Sequence, residues 1–338
     1  VSDGSASGFP ISLSKEVGLN TVLDKRCVLI TGKGGVGRST VTGALALAGQ
    51  RHHKRVLVTE IAEDGDDYSP LAQHFHRNRF PPAPEELAPG VKGVSLLPRV
   101  GQELFLRQVT HSAALVRAAL SSETIRRLLS AGPSFREMGV YFQLLSYLRA
   151  KLPDGSPEFE LIVVDMPATG HTLSLTGLPD VLLKLVSRGP MADALREGVG
   201  FFSDPAKSAA WVVTLPEVLP VSECLELIQG LERNRSPVGG VIVNRFPLDP
   251  FTPGERAAMT PLIERHKLFG AEGFHRVELS QRAITRLRES MPYPLLMLPE
   301  VDGKESALVT FLAGELVTAR PVEAPVTRPG EDLGRVAP

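Results

Sequence analysis

The run Gly32-Lys33-Gly34-Gly35-Val36-Gly37-Arg38-Ser39-Thr40 follows directly on the apolar segment Cys27-Val28-Leu29-Ile30. Its pattern, G-x-x-x-x-G-[basic]-S between a strand and a helix over about 39–50, is that of a phosphate-binding loop. Glycines at 32, 34, 35 and 37 allow backbone angles that a Cβ penalises, so successive N–H groups can turn inward around phosphate oxygens. The helix adds the partial positive charge of its N-terminus. Gly34 to Thr40 thus form the expected cradle for ATP or ADP, with Ser39 placed to ligate Mg²⁺ between the outer phosphates. The alternative is a plain structural turn, against which the flanking strand and helix argue.

Two positions in the loop are unusual. Lys33 stands near its start, and Arg38 occupies the place before Ser39 where lysine is the norm. Arginine reads phosphate with a planar fork, whereas lysine enters as a compact point charge. Because phosphoryl transfer depends mainly on positioning, retained ATP binding with slow turnover is the expectation.

A second cluster follows the buried-strand pattern Glu160-Leu-Ile-Val-Val-Asp165. Asp165, at the carboxyl end of a strand beside the loop, can hold Mg²⁺ through water. The segment after it, through His171 and Thr172, suits movement as the γ-phosphate comes and goes. The bland alternative makes Asp165 a helix N-cap. Glu60 closes the run Arg55-Val-Leu-Val-Thr59 and can orient attacking water, or else simply solvate an acidic loop. Asn244 ends Gly240-Val-Ile-Val and can hydrogen-bond an adenine edge or only form a turn.

Apolar runs alternate with helical periodicity along the chain, which predicts an α/β fold: a mostly parallel sheet covered by helices on both faces. Leucines spaced by three and four over about 101–151, and a second patch at 179–203, predict a helical cap subdomain. Dense prolines before Lys92 predict a long surface excursion rather than packed elements. Residues 1–24 read as a flexible N-terminal arm, 25–317 as the nucleotide domain, and 318–338 as a disordered tail. A 43% hydrophobic content and a formal net charge of -1 suit a globular protein with no nucleic-acid partner. No apolar run is long enough for an integral membrane segment, and no secretory leader is recognisable, so a cytoplasmic location is expected. The two cysteines, Cys27 and Cys224, offer neither a CxxC nor a disulfide framework and read as core residues. His74-x-His76 has a metal-like spacing but reads as a solvated loop.

Taken in order, GKGGVGRST, DMPATGHTL, SDPAKSAAWVVTLPEVLPVSECLEL and VIVNRFP resemble the ArsA-like ATPases over most of residues 26–317. That family includes arsenite-pump ATPases and the ATPases that target tail-anchored membrane proteins. The resemblance implies a P-loop NTPase with a deviant Walker A loop, in which two subunits clamp ATP face to face. By position, Lys33 looks like the signature lysine that reaches the partner's phosphates, and Asp165 to Thr172 look like switch II. Glu60 falls where the family has a water-positioning aspartate, although the text here, Glu60 to Glu63, is EIAE. Asn244 looks like the adenine contact, Pro299 to Val301 like the loop beside the base, and Glu217 like an approach to nucleotide or partner. The implied catalytic set is Lys33, Arg38, Glu60 and Asp165. Arg38 and Glu60 weaken the expectation of vigorous hydrolysis.

The leading expectation is a slow ATPase switch, a homodimer or a heterodimer with a related ATPase, whose cap offers a surface to an apolar protein client. A non-hydrolysing scaffold paired with an active paralogue is the alternative. A positioning ATPase akin to MinD or ParA comes last, since neither a membrane helix nor a basic face is evident. Too few thiols are present for arsenite.

Overall fold

Side-chain alternation along the strands sets the layers. In β2 (Cys27–Gly32), Val28 and Ile30 point into one apolar core while Cys27 and Leu29 point into another on the opposite face. The same division recurs in β6 (Leu161–Asp165) and β7 (Ser208–Thr214), so each strand is buried on both sides. The structure, a computed structural model, describes residues 13–14, 20–63, 65–110, 133–167, 183, 190–266, 268–301, 303, 305–318 and 321–322.

Among the described residues, ten strands form one sheet in the order β10-β1-β9-β8-β7-β2-β6-β3-β5-β4. The remaining strands are β1 (Leu13–Ser14), β3 (Val56–Ile61), β4 (Glu85–Ala88), β5 (Val91–Leu96), β8 (Val238–Phe246), β9 (Leu295–Pro299) and β10 (Pro321–Val322). Every pairing from β9 through to β5 is parallel, while β4–β5 and β1–β9 are antiparallel. The helices are α1 (Asn20–Leu23), α2 (Arg38–Arg51), α3 (Pro70–Gln73), α4 (Pro98–Thr110), α5 (Pro133–Arg149), α6 (Pro190–Phe202), α7 (Val218–Arg233), α8 (Pro253–Arg265), α9 (Ala271–Ser290) and α10 (Glu305–Thr318). Helices α2 and α10 bury Val41, Leu45, Val309 and Leu312 against one face, and α5, α7 and α9 bury Val140, Leu227 and Ile284 against the other. Both cysteines are buried free thiols, and burial pushes each up to about 12. The result is the expected α/β architecture of a P-loop NTPase, a mostly parallel sheet with helices on both faces.

The segments read as a cap are described in part. Met138, Tyr141, Phe142 and Leu145 of α5 pack with Leu195 of α6 in a core of their own. Helices α4 and α5 cross at Gly101 and Gly139, so closely that a Cβ on Gly139 would collide with the carbonyl of Pro98. Residues 111–132 and most of 168–189 lie outside the described residues, as do most of the expected arm and tail. Within the arm and tail, Leu13–Ser14 and Pro321–Val322 pair as parallel stubs at the sheet edge.

The segment before Lys92 departs from the expectation of an unpacked excursion. Leu71, Ala72, Phe75 and Phe80 are buried in the core on the α2 face, and β4 forms an antiparallel hairpin with β5. The prolines do not break these elements. Pro70 occupies the first turn of α3, where its missing N–H costs nothing, and Pro81 and Pro82 precede β4.

Candidate functional site

Strand β2 lies between β6 and β7, although the chain runs next to β3, beyond β6. Its carboxyl end is therefore a switch point in strand order, where α/β sheets open a crevice. The glycine-rich loop leaves β2 there. Gly35 and Gly37 have φ of 83° and 88°, and Gly37 is the N-cap of α2 with no side-chain cap bond. No acidic side chain lies in the first turn of α2 either, so an anion is the natural complement of its N–H groups.

Asn244, at only 4% exposure, donates from Nδ2 to the Val36 carbonyl at 3.0 Å. A Cβ on Gly37 would collide with that same amide nitrogen. Asn244 thus braces the loop from below, across 208 residues of sequence. That contact has no local signature in the chain.

Asp165 meets the first turn of α2. Ser39 Oγ donates to its Oδ2 at 2.5 Å, and Arg38 Nη1 donates to the carbonyl of Met166. Burial pushes the Asp165 carboxyl up to about 6, opposed by the Ser39 bond and the Arg38 charge. Its Oδ1 is buried without a hydrogen-bond partner. Mg²⁺ at nucleotide sites takes one or two protein oxygens and completes its shell with phosphate and water. Ser39 Oγ and the orphaned Asp165 Oδ1 fit that donor set. No cluster of three or more His, Cys, Asp or Glu suited to a metal occurs among the described residues.

Glu60 is in register with Asp165 on one side and with Ser95 on the other. Its Oε2 accepts a 2.5 Å hydrogen bond from Ser69 Oγ, which in turn accepts from the N–H of Ala72 and so caps α3. Burial pushes Glu60 up to about 7; the Ser69 bond opposes the rise and the Asp165 charge adds to it. Glu60 is not the freely solvated loop acid of the bland alternative. Its neighbour Glu63 forms an ion pair with Arg136 of α5, which ties this loop to the cap.

A raised carboxyl pKa means that the folded chain keeps a proton the unfolded chain has lost. Stability is then fullest below the ordinary carboxyl range and declines as pH rises through about 6 to 7. In metal-free buffer the melting temperature should fall between pH 5 and 8. Glu60→Gln should flatten that fall, and an unchanged slope in the variant would contradict the assignment.

Lys33 projects from the loop, 44% exposed, and pairs with Glu223 of α7 at 3.2 Å. Glu217, the N-cap residue of α7, makes no capping bond, and Val218 and Leu219 beside it are exposed. Pro299 ends β9, and the Glu300 N–H donates to the Phe246 carbonyl at 2.9 Å, which sets 299–301 beside the end of β8. Thr40 Oγ1 lies 3.3 Å from His74 Nε2. His74 is buried, unlike the solvated loop expected at 74–76, because α3 packs it under α2; His76 is exposed. Ala168 to Thr172 of the expected moving segment lie outside the described residues. Ser69 and Glu223 were missed by sequence reasoning, and His74 was read only as part of a solvated loop, although the Ser69-Pro70 pair is a recognisable helix start.

A family model described as anion-transporting ATPase matches residues 25–197. The chain belongs to the ArsA-like ATPase family. Among curated proteins, this ArsA-like chain is 29% identical over 252 residues to ATPase BagA of Mycobacterium tuberculosis, covering 72% of this chain and 69% of that one. It is 23% identical over 326 residues to an ATPase ASNA1 homolog of Cryptosporidium parvum, with 84% of each covered. With ATPase GET3 of Phaeosphaeria nodorum it shares 25% identity over 251 residues, 70% of this chain and 69% of the relative. Nucleotide binding goes with this family. No helix among the described residues of the ArsA-like chain is long and apolar enough to cross a membrane.

Proposed function

We propose that the chain is a slow, cytoplasmic ATPase that works as a nucleotide-dependent dimeric switch on a protein partner. The observation that carries this reading is the Ser39–Asp165 pair at the mouth of the loop, with Asp165 Oδ1 buried and unpartnered. In this reading the loop amides and the α2 N-terminus bind the polyphosphate of ATP. Ser39 and Asp165 would hold Mg²⁺, which when bound would supply positive charge against the phosphates. Glu60, with a pKa near neutrality and its orientation set by Ser69, lines up the attacking water and takes its proton. Asn244 and the 299–301 turn serve the base, and 25–317 act as one nucleotide domain with its cap.

Lys33 reaches the phosphates of a second subunit only after leaving Glu223. The exposed Val218 and Leu219, close in sequence to Glu223, support a face that closes on another chain, identical or related. The Glu63–Arg136 pair supports coupling between the site and a client surface on the cap.

One observation favours a second reading, a scaffold that binds nucleotide without turnover. The Arg38 guanidinium is engaged by the Met166 carbonyl at the strand end. Single-turnover phosphate release with Mg²⁺ and a Lys33→Ala control separates the two. The switch reading expects release above the control, and an increase of about tenfold in Arg38→Lys, roughly 1.4 kcal/mol of recovered positioning. No release above the control in either protein supports the scaffold.

A further inference from the structure

We propose that Arg276 is a positioning residue for the base end of the bound nucleotide, acting through Glu300 on the turn after β9. This rests on the nucleotide reading above. Arg276 projects from α9 and grips Glu300 with both arms of its guanidinium, Nη2 to Oε1 and Nη1 to Oε2, each at 2.8 Å. Glu300 stands between Pro299 and Val301, and its own N–H is bonded to Phe246 at the end of β8. The turn is thus held from two directions. A backbone bond fixes it to the sheet, and a bidentate fork fixes it to a helix, which adds geometric definition that a single ion pair lacks.

The surroundings fit a planar heteroaromatic ligand. Arg276 and Glu300 lie on an open cleft of about 700 Å³ whose walls include Phe251, Phe274 and Val277. Two lining groups are tied together: Arg256 lies over the Phe274 ring, 3.9 Å from its centre, and its Nε is bonded to Asp249 at 2.7 Å. Apolar walls with a few fixed polar groups are what a base and its sugar require. Glu217, across at the start of α7, also acts on Arg276: its charge, after the Glu300 hydrogen bond and charge, raises the Arg276 pKa. Arg276 therefore stands between two acids from separate elements, and its removal would loosen the turn and leave their like charges unopposed.

Equilibrium titrations with magnesium, using ATP and inorganic tripolyphosphate side by side, test this. Tripolyphosphate has no base and engages only the phosphate end. Arg276→Gln should weaken ATP binding about fivefold, close to 1 kcal/mol, and leave tripolyphosphate binding unchanged. Arg276→Lys, which keeps the charge and loses the fork, should recover part of the loss. Equal weakening of both ligands, or no change in either, overturns the positioning role alone. A wild-type chain that binds neither ligand overturns the nucleotide reading itself, and this inference with it.

Discussion

Replacing Gly37 by alanine is expected to weaken ATP binding about a hundredfold, roughly 2.7 kcal/mol. Two costs combine. At φ 88° a residue with a Cβ pays about 1–2 kcal/mol for a left-handed backbone. The new methyl group also collides with Asn244 Nδ2, and Asn244 is too well buried to retreat without breaking its bond to Val36. The loop must give way, and with it the aim of the amides ahead of α2. The change should show in calorimetry with ATP, and the same backbone cost should lower the melting temperature by about 2–3 °C. Wild-type affinity in Gly37→Ala would mean that this turn does not hold phosphate.

A second substitution tests the cap. Gly139→Ala places a methyl group against the backbone of Pro98, 2.9 Å from its carbonyl carbon and closer still to the oxygen. Backbone cannot rotate away as a side chain can, so α4 has to move off α5. Overpacking of this kind costs about 1–3 kcal/mol, and a rigid backbone contact belongs at the upper end. The expected melting temperature is roughly 3–5 °C lower. Faster amide exchange should be confined to α4 and α5, because the two sheet cores are built largely from other helices. An unchanged melting temperature would show that the helix pair has slack there.

Local features of the chain were legible where strand, turn and helix are contiguous. The β2–loop–α2 unit, the acid ending β6 and the parallel order of apolar strands can all be read from neighbouring residues. Contacts that join distant segments could not be read. The Asn244 brace on Val36 and the Lys33–Glu223 pair depend on how strands order and helices dock. Glu60 shows the difference most clearly. Its place at the end of a strand was visible, but its pairing in register with Asp165 follows from a β3–β6 contact between segments about a hundred residues apart. Prolines misled the reading of the segment before Lys92, because Pro81, Pro82 and Pro84 lead into β4 and Pro89 sits in the turn of the β4–β5 hairpin rather than in an unpacked excursion.

The most direct measurement is a calorimetric titration of the chain with ATP and magnesium, repeated on Asp165→Asn. Saturable heat below millimolar ligand, weakened at least about tenfold in the variant, is the expected result for a loop and carboxylate that share one Mg²⁺–nucleotide. Absence of heat at millimolar ATP, or identical binding by both proteins, would contradict it.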